Sequence, residues 1–506
     1  VRVVSLFILE GGLFMAEQMY ELQRDVSQNH RLYNKDLAPI EIKRRTWGTY
    51  NFAALWIGMA HCVPTYLLAG GLIALGMDWK QALFTITLGN LIVLVPMLLN
   101  AHPGTKYGIP FPVFARASFG VFGANIPALL RAIVACGWFG INTYIGSLAI
   151  DIFFGKLFPG WSNIGGTLTF AFGMTVHGAI AFMIFWIFQI YIILKGMDAV
   201  RIFENWAAPF VILLGLALVI WMITAAKGFG PLLAQPSKFH SFGEYFKVFI
   251  PALTGMVGFW ATLSLNIPDF TRFGKGQKEQ MIGQAIGLPP TMLVFSAFGV
   301  IITSASAIVF GEAIWDPAVL LGKFSNPITL VLALVGLVVA SLSVNIAANT
   351  VSPANDFSNT VPKLISFRTG GVITGIIGIL IMPWRLLADP SGYIFGWLGT
   401  YSGFLGPIAG VLIADYWVIR RTRLNLDDLY TEKGIYRFTG GFNIKAIISL
   451  VCGVVVALIG LVVHPLRFLF DYAWFVGFAA AFLVHWALMA GTVAAPAARG
   501  PAAKPA

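Results

Sequence analysis

Apolar runs of about 20 residues, the length that crosses a bilayer as a helix, recur along the chain. Short stretches rich in Pro, Gly and charge separate them. That alternation predicts helices over residues 50–76, 81–99, 124–154, 167–195, 205–226, 247–267, 286–310, 328–351, 370–388, 392–418, 446–463 and 470–491. The expected fold class is therefore an all-α integral membrane protein of about 12 transmembrane helices. The first run contains Gly58-Met59-Ala60-His61-Cys62-Val63-Pro64, and the sixth contains Pro251, Gly255 and Gly258, with Pro268 just beyond it. Proline removes a backbone donor and disturbs the carbonyl four residues back, here that of Ala60. Interrupted helices at matching places in two five-helix halves point to an inverted-repeat transporter, in which freed carbonyls can hold a cation and half-helix N-termini can face polar groups.

The expected organisation is an N-terminal cytoplasmic segment (1–45), an inverted-repeat core (46–418), a cytoplasmic loop (419–445), two further helices (446–491) and a low-complexity, disordered tail (492–506). Within the core, the repeats are expected over about 46–227 and about 245–418. Residues 1–14, VRVVSLFILEGGLF, are too short to span and are interrupted by Glu10. Val1 followed by Met15 and Met19 suggests a mis-assigned translation start; the other reading is a membrane-surface segment.

Composition agrees with the pattern. The chain is 58% hydrophobic and only 11% charged, against about 25% charged in soluble domains. Cys62, Cys136 and Cys452 lie in apolar runs with neither metal spacing nor a disulfide framework. The formal charge of +11 follows topology. With both termini cytoplasmic, 24 of the 33 Lys and Arg fall inside, among them Lys106 and Arg116, 8 fall outside, and Arg131 lies in the third run. That asymmetry orients a chain in the lipid bilayer and makes no nucleic-acid groove. The stretch from Arg420 to Asp428 is expected to be a solvated connector.

Polar side chains at membrane depth are costly unless they face a partner, a cavity or a ligand. Trp138-Phe139-Gly140-Ile141-Asn142 and Ser343-Val344-Asn345-Ile346-Ala347-Ala348-Asn349 place them there. Trp138 and Asn142, four residues apart, share a helix face. A flat indole beside carboxamides suits a small planar polar solute, since indole stacks and an amide offers an acceptor and two donors. The alternatives are packing tryptophans and asparagines that bond helix to helix, and Asn345 is expected to brace. Arg131 and Asp151 are expected to pair or snorkel, and His177 to be structural. Asp269 and Asp415 stand where they can brace gates, and the His61 ring either packs or titrates. HExxH, GxSxG and P-loop patterns are missing from the sequence, so the chain reads as a carrier that is not an enzyme and does not use ATP directly. A channel fits less well, because a pore needs sites that release quickly.

Several stretches carry a family likeness. They are Asn51-Phe52-Ala53-Ala54-Leu55-Trp56, His102-Pro103-Gly104-Thr105-Lys106-Tyr107-Gly108 after the second run, Ile126-Pro127-Ala128-Leu129-Leu130-Arg131-Ala132 and Trp138-Phe139-Gly140. Further on come Asn266-Ile267-Pro268-Asp269-Phe270-Thr271-Arg272-Phe273, Ala347-Ala348-Asn349, Ser352-Pro353, Met382-Pro383-Trp384, Gly406-Pro407-Ile408-Ala409-Gly410, Ala414-Asp415-Tyr416 and Asp427-Asp428-Leu429-Tyr430. In these the chain resembles the nucleobase:cation symporter-1 family, which includes the hydantoin transporter and bacterial allantoin permeases, and it looks most like the allantoin-permease branch over about residues 30–490.

The resemblance implies a five-plus-five inverted repeat with two extra C-terminal helices, alternating access, a substrate site between helices 1, 3, 6 and 8, and a cation site between 1 and 8. It places Trp138 and Trp260 as the tryptophans that sandwich the substrate ring and Asn349 as a substrate-binding amide. Asn142 and Cys62 stand at glutamine positions, and Phe259 stands where a glycine carbonyl contacts substrate. Gly58, His61 and Ala340 match backbone-carbonyl positions for the cation, and Ser343 a hydroxyl ligand. Val344 replaces a threonine of the sodium-coupled relative. The implied function is symport of allantoin, a hydantoin, uracil or another nucleobase with H+ or Na+ across the inner membrane, without a cofactor; a purine or cytosine permease of the same family is the alternative. The missing hydroxyl at Val344 leaves weak sodium binding or proton coupling, and favours the proton.

Overall fold

A computed structural model describes residues 18–492 apart from 30, 61, 171, 172, 196 and 325. The expectations for residues 1–14 and for the tail from 493 lie outside the described residues. Span 1 is a pair of helices, Thr49–Ala60 and Val63–Ala74, bent by 57° at their junction. Spans 2 to 5 are Trp79–Tyr107, Asn125–Leu157, Val176–Lys195 and Met197–Ala225. Span 6 is again a pair, Phe242–Phe259 and Ala261–Asn266. Spans 7 to 9 are Gln277–Phe310, Pro327–Asn349 and Phe367–Leu380; spans 10 to 12 are Gly392–Ile419, Ile444–Leu458 and Ala473–Met489. Among the described residues, seven unbroken helices are long and apolar enough to cross a bilayer, and two bent pairs bring this to nine. Spans 5, 6 and 9 complete a twelve-helix, five-plus-five architecture with broken helices 1 and 6 and two added C-terminal helices.

Local chemistry sets these boundaries. Span 2 starts at a reciprocal cap, in which Asp78 Oδ1 accepts from the Gln81 amide at 2.8 Å and Gln81 Oε1 accepts from the Asp78 amide at 3.0 Å. It ends at Gly108, whose φ of +70° suits glycine. In span 1, Cys62 is extended (φ −140°, ψ 156°), and Pro64 falls in the first turn of the second helix, where its missing N–H breaks no bond. The two halves pack closely where side chains vanish. A Cβ on Gly287 of span 7 would stand 3.0 Å from Ala53 Cα and 3.1 Å from its carbonyl oxygen in span 1.

Several expectations are corrected. Span 4 begins at Val176, not 167, because Thr169–Phe170 and Met174–Thr175 form a small antiparallel hairpin. Span 2 runs through the His102–Tyr107 stretch expected to follow it, since a transmembrane helix tolerates Pro96 and Pro103. Lys106 and Arg116 are not loop charges in contact with water; both are buried. Arg116 donates to the Leu429 carbonyl at 3.0 Å and to Asn359 Oδ1 at 2.6 Å. Burial pushes its guanidinium down to about 10, still charged near neutral pH. The stretch from Arg420 to Asp428 is solvated only in part: Arg421 and Arg423 are exposed, whereas Arg420, Leu424 and Leu426 are buried. Arg420 is buried against Asp415 (Nε–Oδ2 2.6 Å) and donates to the Ala117 carbonyl at 2.8 Å, while Leu429 and Tyr430 are buried as well.

Candidate functional site

The broken helices and spans 3 and 8 enclose a cavity of about 30 Å³. Cys62, Trp138, Asn142, Phe259, Trp260 and Asn349 all line it, joined by Met59, Pro64, Thr262, Leu263, Val344 and Ala348. The volume admits a water or two and no heterocyclic ring. Phe259 accounts for the tightness: its ring meets Trp138 edge-on at 5.2 Å and Trp260 edge-on at 5.0 Å. Trp260 also meets Trp56 at 5.2 Å and 89°. The Phe259 ring thus bridges Trp138 of span 3 and Trp260 at the break in span 6. Among the described residues, the lining contains no carboxylate, imidazole or amine, which suits an uncharged ligand.

Two amides supply the polarity. Asn142 Nδ2 donates to the Trp138 carbonyl at 3.1 Å, leaving the buried Asn142 Oδ1 without a partner. The indole N–H of Trp260 is also buried and unpartnered. Asn349 Nδ2 donates to Asn345 Oδ1 at 3.0 Å, and the residue lines the cavity. Asn345 braces as expected, donating to the Phe139 carbonyl of span 3 at 3.0 Å.

The cation residues are less gathered. Val344 lines the same cavity. Ala340 lines an adjoining apolar cavity of about 410 Å³, which shares Cys62 as a wall. Gly58 lies in the first helix of span 1, His61 is outside the described residues, and so is the side chain of Ser343. The carbonyl of Ala60 is not left free by Pro64: it accepts from the Cys62 amide at 3.0 Å and from Thr65 Oγ1 at 2.9 Å.

Away from the cavity, Arg131 pairs with Asp356 at 3.0 Å, both buried. Asp151 accepts from His177 Nδ1 and from the Trp161 indole, each at 2.7 Å. Asp269 accepts from the Phe111 amide at 2.9 Å and from Ser352 Oγ at 2.8 Å, joining the short helices that follow spans 6, 2 and 8. Sequence reasoning missed two span 10 tyrosines. The Tyr401 hydroxyl donates to the Gly258 carbonyl at 2.9 Å, beside the break in span 6, and the Tyr393 hydroxyl to the Pro64 carbonyl at 3.4 Å, beside the break in span 1. The available signal was two phenols eight residues apart inside an apolar run, each needing an acceptor.

Residues 39–477 match a family described as permease for cytosine/purines, uracil, thiamine and allantoin. The chain is 44% identical over 469 residues to the allantoin permease of Bacillus subtilis (strain 168), covering 93% of this chain and 95% of the relative. Its fold is similar to Mhp1, described as a nucleobase-cation-symport-1 family transporter, in a closed conformation with bromovinylhydantoin bound: TM-score 0.71, 27% identity, 90% of this chain and 95% of the other covered. The inward-facing conformation of Mhp1 gives a TM-score of 0.73 at 26% identity, covering 93% and 95%.

Proposed function

The chain belongs to the family of permeases for cytosine/purines, uracil, thiamine and allantoin, the nucleobase-cation-symport-1 transporters, and we propose that it carries an uncharged planar ureide or lactam, allantoin or a hydantoin first among them, with a coupling cation. It is a secondary transporter of the nucleobase type and not an enzyme. The observation that carries the substrate reading is the cavity at the two helix breaks. It joins Trp138 and Trp260 as stacking faces with Asn142 and Asn349 as amide contacts. In this reading, Phe259 leaves its place against the two indoles when a ring enters between them. Access alternates as spans 1 and 6 rock against spans 3 and 8.

For the cation we favour the proton. The sodium alternative needs the carbonyls of Gly58, His61 and Ala340 with the Ser343 hydroxyl. Val344 adds no oxygen to that set, and the Ala60 carbonyl is already hydrogen-bonded within span 1. We further assign the protein to the cell's inner membrane with both termini cytoplasmic.

Competition in proteoliposomes tests the reading. Allantoin and hydantoin should compete for uptake better than uracil, cytosine or purines; a reversed order selects the purine or pyrimidine branch of the family. An inward pH gradient without sodium should drive uptake. A strict sodium requirement that ignores the pH gradient overturns proton coupling, and Val344→Thr should then raise the apparent sodium affinity.

A further inference from the structure

Gln189 of span 4 is fully buried, does not line the cavity, and has no part in the binding reading so far. It nevertheless sits in a chain of hydrogen bonds that starts at a backbone carbonyl and ends at the ligand site. The Thr143 hydroxyl donates to the Phe139 carbonyl at 2.7 Å, so its oxygen is left to accept. Gln189 Nε2 donates to that oxygen at 3.0 Å. Its Oε1 therefore faces Asn345 Nδ2, at 2.6 Å. Asn345 Oδ1 in turn accepts from Asn349 Nδ2 at 3.0 Å. A main-chain carbonyl can only accept, and Phe139 orients Asn345 by two routes: through Thr143 and Gln189, and directly, by accepting from Asn345 Nδ2 at 3.0 Å. A second carbonyl does the same for Asn142, whose Nδ2 is held on Trp138.

We propose that Gln189 is a positioning residue for specificity: together with the Phe139 carbonyl it holds the Asn345 amide in one orientation, and Asn345 in turn directs the Asn349 carbonyl oxygen toward the ligand, so that Asn349 and Asn142 together present two acceptors and the site selects solutes with two N–H donors along one edge. This rests on the proposed substrate reading and sharpens it. An amide free to flip would take a donor or an acceptor edge equally; an amide locked by a polar relay discriminates, because a mismatched ligand leaves a buried group unsatisfied. Ureides and hydantoins carry such N–H groups, and alkylating a ring nitrogen removes one.

The test compares hydantoin, its 1-methyl and 3-methyl derivatives, and 5-methylhydantoin, which adds the same bulk at carbon. Wild type should bind at least one N-methyl isomer about tenfold more weakly than the C-methyl control. Gln189→Leu should shrink that ratio to about threefold or less. Gln189→Glu, whose protonated carboxyl offers the same acceptor and a hydroxyl donor, should restore it. A ratio unchanged in Gln189→Leu, with all ligands weakened alike, would overturn the proposal and leave Gln189 a packing residue; so would a wild type indifferent to N-methylation. If wild type binds no planar heterocycle, the function proposed above fails, and the relay is read by itself. Solvent exchange of the Asn349 side-chain amide, followed by NMR in lipid, should be slow in wild type and fast in Gln189→Leu, and equal rates would overturn it.

Discussion

At the scale of single residues, Phe259 makes this site unlike the pattern the resemblance implies. Where a glycine carbonyl is expected, a phenyl ring stands edge-on to both Trp138 and Trp260. Each such aromatic contact contributes about 0.5–1.5 kcal/mol beyond area burial, so the closed cavity is held shut from within. Phe259→Gly should therefore admit hydantoins with bulky 5-substituents that wild type excludes, measured by competition; an unchanged size limit would mean that the ring does not gate the slot. Trp138→Ala and Trp260→Ala should each weaken binding by about 1–3 kcal/mol, by analogy with base stacking, or about fivefold to 150-fold. Asn142→Gln extends the amide by one methylene and should reorder the substrate panel instead of silencing it. Trp138, Asn142 and Asn349 were legible because polar atoms inside apolar runs need a reason, whereas Trp260 came only from the family resemblance; the fold brings all four to one cavity. Tyr401 and Gln189 were not legible, because their meaning lies in acceptors on other spans that no spacing along one helix reveals.

At the scale of elements, the broken helices were readable from Pro64 and from the glycines of span 6, but what happens at the breaks was not. Proline predicts a disturbed carbonyl at Ala60; it does not say that Thr65, five residues on, supplies a hydroxyl to it. Likewise, hydropathy placed span 4 too early because the hairpin residues before Val176 are themselves apolar, and it stopped span 2 too soon because prolines read as breakers outside a membrane. Span 10 joins the two breaks through its tyrosines. Tyr401→Phe removes the bond to Gly258 and should destabilise the protein by about 1 kcal/mol, visible as a lower midpoint of thermal unfolding and as weaker substrate binding. If both are unchanged, span 10 does not hold span 6 in place. A tighter constraint joins spans 1 and 7. Gly287→Val should sharply lower the yield of folded protein, since its first new atom already meets the Ala53 backbone.

At the scale of the whole molecule, several contacts decide which parts share a face. The N-terminal segment lies against the loop between spans 10 and 11. Asn29 Nδ2 donates to the Tyr430 carbonyl at 2.9 Å, the Tyr430 hydroxyl donates to the Leu37 carbonyl at 2.7 Å, and Arg31 pairs with Glu432 at 2.9 Å. The end of span 12 joins them, since Lys445 Nζ donates to the Leu488 carbonyl at 2.9 Å. One experiment therefore fixes both termini. Burial of Lys106, Arg116 and Arg420 does not weaken the charge asymmetry, because that rule acts on the chain as it inserts, before these side chains pack. It does decide where a probe belongs. A cysteine at Arg420 would resist a thiol reagent on either side, whereas Lys433 is exposed on this face and Lys156 is exposed in the last turn of span 3, at its far end. In intact cells, an impermeant maleimide should label Lys156→Cys readily and Lys433→Cys only after permeabilisation. The reverse order would put both termini outside and invert the orientation.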